Sequence, residues 1–95
     1  MKDLRWAPRA QADLADLHIY FREIDPEIAL QMTERSTAAA RFLSEHPKPG
    51  SPVDDSRSRR WRVPRTAFVL IYREAADHIR ILRVVHYARD WQRLA

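Results

Sequence analysis

The stretch FVLIYREAADHIRILRVV, residues 68–85, decides the fold of this chain. Its first five residues, 68–72, form an unbroken apolar run that is typical of a central strand covered on both faces. A polar tight turn over residues 74–77 follows, and apolar residues return from Ile79 to Val85 as a second strand. Because the connection is too short for a crossover, the two strands are predicted to be antiparallel.

Two shorter segments alternate in the manner of strands. Trp61 and Val63 alternate with arginines, which predicts a further antiparallel strand before the central one. Leu4 and Trp6 alternate with charged residues and predict a short N-terminal strand.

The segment between these strands is helical in pattern. Apolar residues recur at spacings of three and four over residues 10–24, which predicts one helix that ends near Ile24. The Asp-Pro-Glu at 25–27 is a helix start signal, and the second helix is predicted to run to the His-Pro pair at 46–47. A proline-rich loop over residues 47–56 follows. The predicted fold class is therefore α+β: an N-terminal strand, an α-helical hairpin on one face of the sheet, then a three-stranded antiparallel meander.

Length and composition exclude several classes of function. The 95 residues are enough for one domain, residues 1–95, and the absence of cysteine excludes disulfides, thiolate catalysis and Cys-ligated zinc. A single glycine excludes the common phosphate-binding glycine loops, and the histidines lack metal-ligand spacing, so no cofactor or metal is expected. With no apolar signal region at the N-terminus and no run long enough to span a bilayer, we expect a cytoplasmic protein without a membrane partner.

Positive charge is concentrated in the second half of the chain. Residues 1–56 carry seven basic and ten acidic side chains, a net of −3, whereas residues 57–95 carry ten basic and three acidic, a net of +7. Five arginines lie on the predicted strands of that half, and many of them are expected to share the open side of the sheet or its edges: Arg60, Arg62, Arg73, Arg80 and Arg83. A basic, partly aromatic surface for an anionic partner is predicted there.

Four segments together carry a resemblance to a known family. They are ADL at 12–14, HPKPG at 46–50, RVP at 62–64 and, most specifically, ILRVVHYARDW at 81–91. In their order and spacing they resemble the RelE/ParE superfamily of toxins from bacterial type II toxin–antitoxin systems, over nearly the whole chain. The resemblance implies a growth-inhibiting toxin from a chromosome or a plasmid, where such systems stabilise the plasmid.

The resemblance also implies a protein partner, a cognate ParD-like antitoxin whose C-terminal segment covers the groove between helical hairpin and sheet. A negatively charged antitoxin segment would suit the positive half of this chain. The residues expected to bind a partner are Arg60, Arg62, Arg73, Arg80, Arg83, His86 and Arg89.

The two branches of the superfamily imply different chemistry. ParE-like members are described as inhibitors of DNA gyrase through protein contact, whereas RelE-like members cleave mRNA on the ribosome. The nuclease alternative rests on four residues with suitable acid–base or phosphate-binding groups: Arg65, His86, Tyr87 and Arg89. Nuclease members usually carry an arginine in the central strand where this chain has Val69, and the His-x-x-Arg-Asp ending at 86–90 also favours the ParE-like branch.

His86 and Tyr87 also have non-catalytic interpretations, as a strand-end histidine with a hydrogen bond and as a half-buried sheet tyrosine. A third hypothesis, suggested by the positive charge alone, is a non-toxic nucleic-acid-binding module. No helix-turn-helix or other reading element accompanies that charge.

Overall fold

The computed structural model describes residues 2–53 and 57–87, and it confirms the α+β fold class. In chain order the elements are β1 (Asp3–Trp6), α1 (Pro8–Ile24), α2 (Pro26–Glu45), β2 (Ser51–Pro52), β3 (Arg59–Arg62), β4 (Phe68–Glu74) and β5 (His78–His86). The predicted order of strand, helical hairpin and meander is confirmed.

The two helices meet at one residue, Asp25, because the local sequence ends one helix and starts the next. The backbone N–H of Asp25 donates to the Phe21 carbonyl at 2.8 Å and closes α1. The Asp25 carboxylate accepts a hydrogen bond from the Glu27 N–H at 2.8 Å. Pro26 occupies the first position of α2, where its missing N–H costs no helical hydrogen bond. The connection therefore forces a tight antiparallel hairpin.

The sheet has five strands in the order β1-β5-β4-β3-β2. Strands β3, β4 and β5 form the predicted antiparallel meander, and β1 pairs in parallel with β5, with Asp3 opposite His78 and Trp6 opposite Ile81. The short strand β2 lies within the segment predicted as a loop, which corrects that prediction over two residues. Pro52 is tolerated there because β2 is an edge strand.

The helical hairpin covers one face of the sheet and forms the main core. Its largest fully buried apolar side chains come from the second helix, the β3–β4 turn and the two long strands: Leu43, Val63, Leu70, Ile79 and Ile81. Val85 belongs to a second cluster on the opposite face, where it packs with Val69 and Ile71. The second face is predicted from the sequence to be open, but the centre of its central strand is buried, with Val69 only 3% exposed.

Tyr72, on the central strand, ties the loop after α2 to the main core. The side chain is fully buried, and its hydroxyl donates to the Pro47 carbonyl and accepts from the Gly50 N–H, both at 3.0 Å. Arg59 donates to the Gly50 carbonyl at 2.8 Å from the neighbouring strand. The proline-rich loop is thereby held against strands β3 and β4.

Candidate macromolecule-binding surface

Four of the predicted arginines lie on the sheet face opposite the helices, which we name the arginine face: Arg60, Arg62, Arg73 and Arg80. Arg60 and Arg62 are the register partners of Ile71 and Val69, whose side chains form the second cluster on that face. Arg73 pairs with Arg80 across β4 and β5. Three of the four are exposed and Arg60 is half-buried. Strand alternation therefore brings these side chains together as predicted.

A fifth arginine on this face, Arg5, was not among the predicted site residues. Leu4 and Trp6 pack against the main core, so Arg5 points to the other side, and its register partner is Arg80. The alternation in the sequence already assigns Arg5 to the outer side of its strand. No local pattern in the sequence shows that β1 lies beside β5, because the paired residues of parallel strands are far apart in the chain.

Arg83 does not belong to the arginine face, which corrects the expectation that it shares the open side. A register irregularity in β5 pairs Ile71 with Arg83 but Tyr72 with Ile81, so one extra residue interrupts the alternation. The Arg83 Nε donates to Asp13 on α1 at 2.7 Å, and the Val84 N–H donates to the same carboxylate at 3.0 Å. Arg83 therefore joins the sheet to the helical hairpin.

Three of the four residues of the nuclease alternative, His86, Tyr87 and Arg65, line three different clefts. His86 stands edge-on to Phe68, with ring centroids 5.5 Å apart, and lines a cleft of about 340 Å³ on the helix side with Asp13 and Asp16. Tyr87 lies on the arginine face, where the Arg62 guanidinium is 5.4 Å from its ring centroid. These two neighbours therefore line clefts on opposite sides of the sheet, at the point where β5 ends.

Arg65 occupies the turn between β3 and β4, with a positive φ of 60° that is uncommon for a residue with a side chain. Its carbonyl accepts a hydrogen bond from the Arg35 Nη1 at 3.2 Å. The fourth residue of the nuclease alternative, Arg89, lies outside the described residues.

An apolar groove of about 250 Å³ separates α2 from β3, and Arg65 stands at its side. Phe42 and Trp61 stack there with ring centroids 5.4 Å apart and planes inclined by 18°. Arg35 lines the same groove, which therefore has apolar walls and two guanidinium groups. Sequence reasoning missed Phe42 and Arg35, because their proximity to β3 depends on how the hairpin sits on the sheet.

The acidic side chains near the β4–β5 turn are already paired. Glu74 contacts the Lys2 ammonium at 2.9 Å, and the hydrogen bond from Lys2 holds the pKa of that carboxyl below its usual value. Asp77 bonds His78 at 2.8 Å, and this contact lowers the pKa of the Asp77 carboxyl. Both remain ionised at neutral pH, and neither forms an ion pair with Arg73 or Arg80.

Within residues 2–53 and 57–87, no cluster of three or more histidine, aspartate or glutamate side chains is arranged to hold a metal ion. In the same ranges no helix combines the length and the hydropathy that a bilayer crossing requires.

Comparisons with known proteins give a consistent result. A sequence profile for the ParE toxin of the type II toxin-antitoxin system parDE matches residues 4–91. "Putative toxin Y4kP" of Sinorhizobium fredii is 29% identical over 90 residues, which cover 95% of this chain and 93% of that protein. A solved structure described as the chromosomal ParDE TA system from P. aeruginosa superimposes with a TM-score of 0.80 at 25% identity, over 90% of this chain and 96% of the other. Each similarity spans most of the chain.

Proposed function

Because the chain belongs to the family of ParE toxins of type II toxin–antitoxin systems, we propose that a cognate antitoxin holds it inactive and that the unbound toxin inhibits DNA gyrase by protein contact. Membership of this family confirms the resemblance inferred from the sequence. Gyrase and its DNA are cytoplasmic, so the proposal places the toxin in the cytoplasm.

The observation that carries the gyrase proposal is the separation of the groups that a nuclease would need to bring together. His86, Tyr87 and Arg65 line three different clefts, and the central-strand position beside them is the buried Val69 rather than a cation. Cleavage of RNA by its own 2′-OH requires a base, an acid and a cation around one phosphate. Within residues 2–53 and 57–87 these groups do not surround one site, which favours a toxin that binds its target over one that cuts it.

The antitoxin is proposed to bind as an acidic segment with apolar anchors. The groove between α2 and β3 offers the stacked Phe42 and Trp61 for an apolar side chain, with Arg35 and Arg65 beside it for carboxylates. Apolar anchors in a desolvated groove supply most of the affinity of such interfaces, and charge complementarity supplies orientation and association rate. Arg62 follows Trp61 directly in β3 and lies on the arginine face, so positive charge continues from the groove onto that face.

A supercoiling assay with purified gyrase, relaxed plasmid and purified toxin tests the target. We expect inhibition that rises with toxin concentration and is relieved when the toxin is first mixed with its antitoxin. The matched control is gyrase with an unrelated basic protein of similar charge, which separates a specific contact from titration of the plasmid. Full supercoiling at a large molar excess of folded toxin would contradict the proposal.

Trp61→Ala tests the antitoxin groove. Truncating an aromatic anchor in a groove is expected to weaken antitoxin binding by about 2 kcal/mol, roughly thirtyfold in Kd by calorimetry. Trp6→Ala is the control, since Trp6 lies on β1 away from that groove. Equal losses from both substitutions, or none from Trp61→Ala in a folded protein, would show that the antitoxin binds elsewhere.

A further inference from the structure

Three arginines form a straight row across three adjacent strands of the arginine face. Arg5 on β1 is the register partner of Arg80 on β5, and Arg80 is the register partner of Arg73 on β4. Neighbouring strands are about 4.8 Å apart, so the backbone positions of the outer two arginines are about 10 Å apart. This arginine row lies near the β4–β5 turn, four residues along β4 from Val69, the register partner of Arg62.

The positive charges of the row are weakly compensated within the described residues. Arg73 and Arg80 are exposed, and in residues 2–53 and 57–87 neither side chain makes an ion pair. Arg5 reaches Asp77 at 3.9 Å, in a pair whose side chains are 55% and 74% exposed. Asp3, on the same side of β1, is a second nearby carboxylate and is also exposed.

Like charges directly opposite one another on neighbouring strands destabilise a sheet. Arg80 has such a neighbour on both sides, so the row lowers the stability of the unbound domain. An anionic ligand that lies across the row converts this repulsion into attraction from all three guanidinium groups. We infer that the arginine row binds the sugar–phosphate backbone of duplex DNA.

The chemistry of the row fits a phosphate backbone better than an acidic protein segment. Guanidinium groups bind phosphate oxygens in a bidentate manner, and a line of such groups follows a line of phosphates. The apolar neighbours on this face offer little surface, since Ile71 is only 6% exposed and Leu82 packs against the same second cluster. A protein partner would therefore find charge without the apolar contact that forms the centre of most protein interfaces.

The structure also favours a duplex over a single strand. Single-stranded nucleic acids are held largely by bases that stack on exposed aromatic rings. The aromatic residues that line the cleft on the arginine face are Tyr87 and Trp61. Both lie at the other end of the face from the row, and the Arg62 guanidinium already lies over the Tyr87 ring. The choice of DNA over duplex RNA rests on the proposed function, because gyrase works on duplex DNA.

Fluorescence anisotropy of a labelled duplex of about 20 base pairs, titrated with purified toxin between about 50 and 200 mM salt, tests the inference. The variant is Arg73→Gln with Arg80→Gln, and the matched control is Arg22→Gln with Arg41→Gln, which removes two exposed helical arginines. Each lost phosphate contact lowers the salt dependence, the slope of log K against log salt, by about 0.9. For the row variant we expect the slope of log K against log salt to become shallower by about 2 and the affinity at low salt to fall at least about fivefold. In the control variant both the slope and the affinity are expected to change much less.

Equal losses in the two variants would overturn the inference, because binding would then follow net charge alone. Absence of DNA binding by the wild-type toxin would overturn it as well. Binding to a poly-glutamate peptide that depends on Arg73 and Arg80, without DNA binding, would assign the row to an acidic protein instead. Tighter binding to an RNA duplex of the same length would overturn the choice of DNA.

A thermal melt checks folding stability, and the absence of gyrase from the binding assay keeps the DNA proposal separate from the gyrase proposal. Arg80→Gln alone removes both repulsive pairs, so it is expected to raise the melting temperature by about 1 to 5 °C while weakening DNA binding. A lower melting temperature would contradict the repulsion on which the inference stands. The anisotropy assay contains no gyrase, so a failed DNA titration leaves gyrase inhibition by protein contact standing, and a failed supercoiling assay leaves DNA binding by the row standing.

Discussion

Asp13 links α1 to strand β5 of the sheet. Its carboxylate accepts hydrogen bonds from the Arg83 Nε and from the Val84 N–H, and the side chain is largely buried with Arg83 partly exposed beside it. A charged acceptor shared by two donors contributes more than a neutral hydrogen bond. The same contacts hold the irregular part of β5, where the alternation of the strand is interrupted.

Asp13→Asn is expected to lower the free energy of unfolding by about 1 to 2 kcal/mol, because the amide keeps one acceptor oxygen but loses the charge. Urea denaturation measures this directly. Asp16→Asn, an exposed neighbour on the same helix, is the control and should change stability by less than about 0.5 kcal/mol. Equal effects at the two positions would show that the contact with Arg83 contributes nothing specific.

Tyr72→Phe removes the hydroxyl that binds Pro47 and Gly50, so the buried Gly50 N–H and the partly buried Pro47 carbonyl lose their partner. We expect a loss of about 1 to 3 kcal/mol in urea denaturation. Tyr20→Phe is the control, because Tyr20 is 55% exposed on α1. An undiminished free energy of unfolding in Tyr72→Phe would mean that the loop is held by other contacts.

The same tyrosine predicts a dependence on alkaline pH. Burial raises the pKa of the Tyr72 phenol above its ordinary value of 10.0. The folded state therefore holds this proton more tightly than the unfolded state, so the contribution is complete below pH 10 and is lost as pH rises through the folded pKa. Wild-type stability should fall above pH 10 more steeply than that of Tyr72→Phe. Parallel curves for the two proteins would contradict this.

At the scale of elements, the helical hairpin follows from three residues at its turn. Asp25 caps α2 through the Glu27 N–H, and Pro26 starts the helix in a conformation it already prefers. These signals are local, which is why both helix boundaries at the turn could be predicted from the sequence.

Asp25→Ala is expected to cost about 1 kcal/mol, because the capping oxygen is lost while the helix remains. Glu23→Ala, an exposed change in the last turn of α1, is the control and should be neutral or slightly stabilising, since it removes a negative charge near a helix C-terminus. Both are measured by urea denaturation. Destabilisation by Glu23→Ala as large as that of Asp25→Ala would show that the cap is not the source of the effect.

At the scale of the whole molecule, the sequence predicts the fold class and most of the arginine face but not every contact that completes them. The meander could be predicted because its strands are neighbours in the chain and alternate visibly. The pairing of β1 with β5 could not, since partners such as Arg5 and Arg80 are distant in sequence and leave no local pattern. The irregularity that turns Arg83 towards Asp13 was missed for the same reason, because a contact with α1 stabilises it.

The proposed antitoxin-binding groove and the proposed DNA-binding arginine row lie in different regions of the molecule. The groove beside α2 combines apolar rings with Arg35 and Arg65 and suits the antitoxin, whereas the arginine row carries charge with little apolar surface and suits DNA. A substitution that weakens binding at one surface should therefore leave binding at the other unchanged, since the effects of substitutions at separate sites without shared contacts are additive.

Inducing this chain alone in a growing culture, then measuring plasmid supercoiling and transcript integrity in the same cells, tests the central claim most directly. The account predicts that growth stops while plasmid topoisomers shift towards relaxed forms and primer extension finds full-length transcripts. Normal supercoiling together with codon-positioned transcript cuts that disappear in His86→Ala would contradict it and assign the chain to the mRNA-cleaving branch.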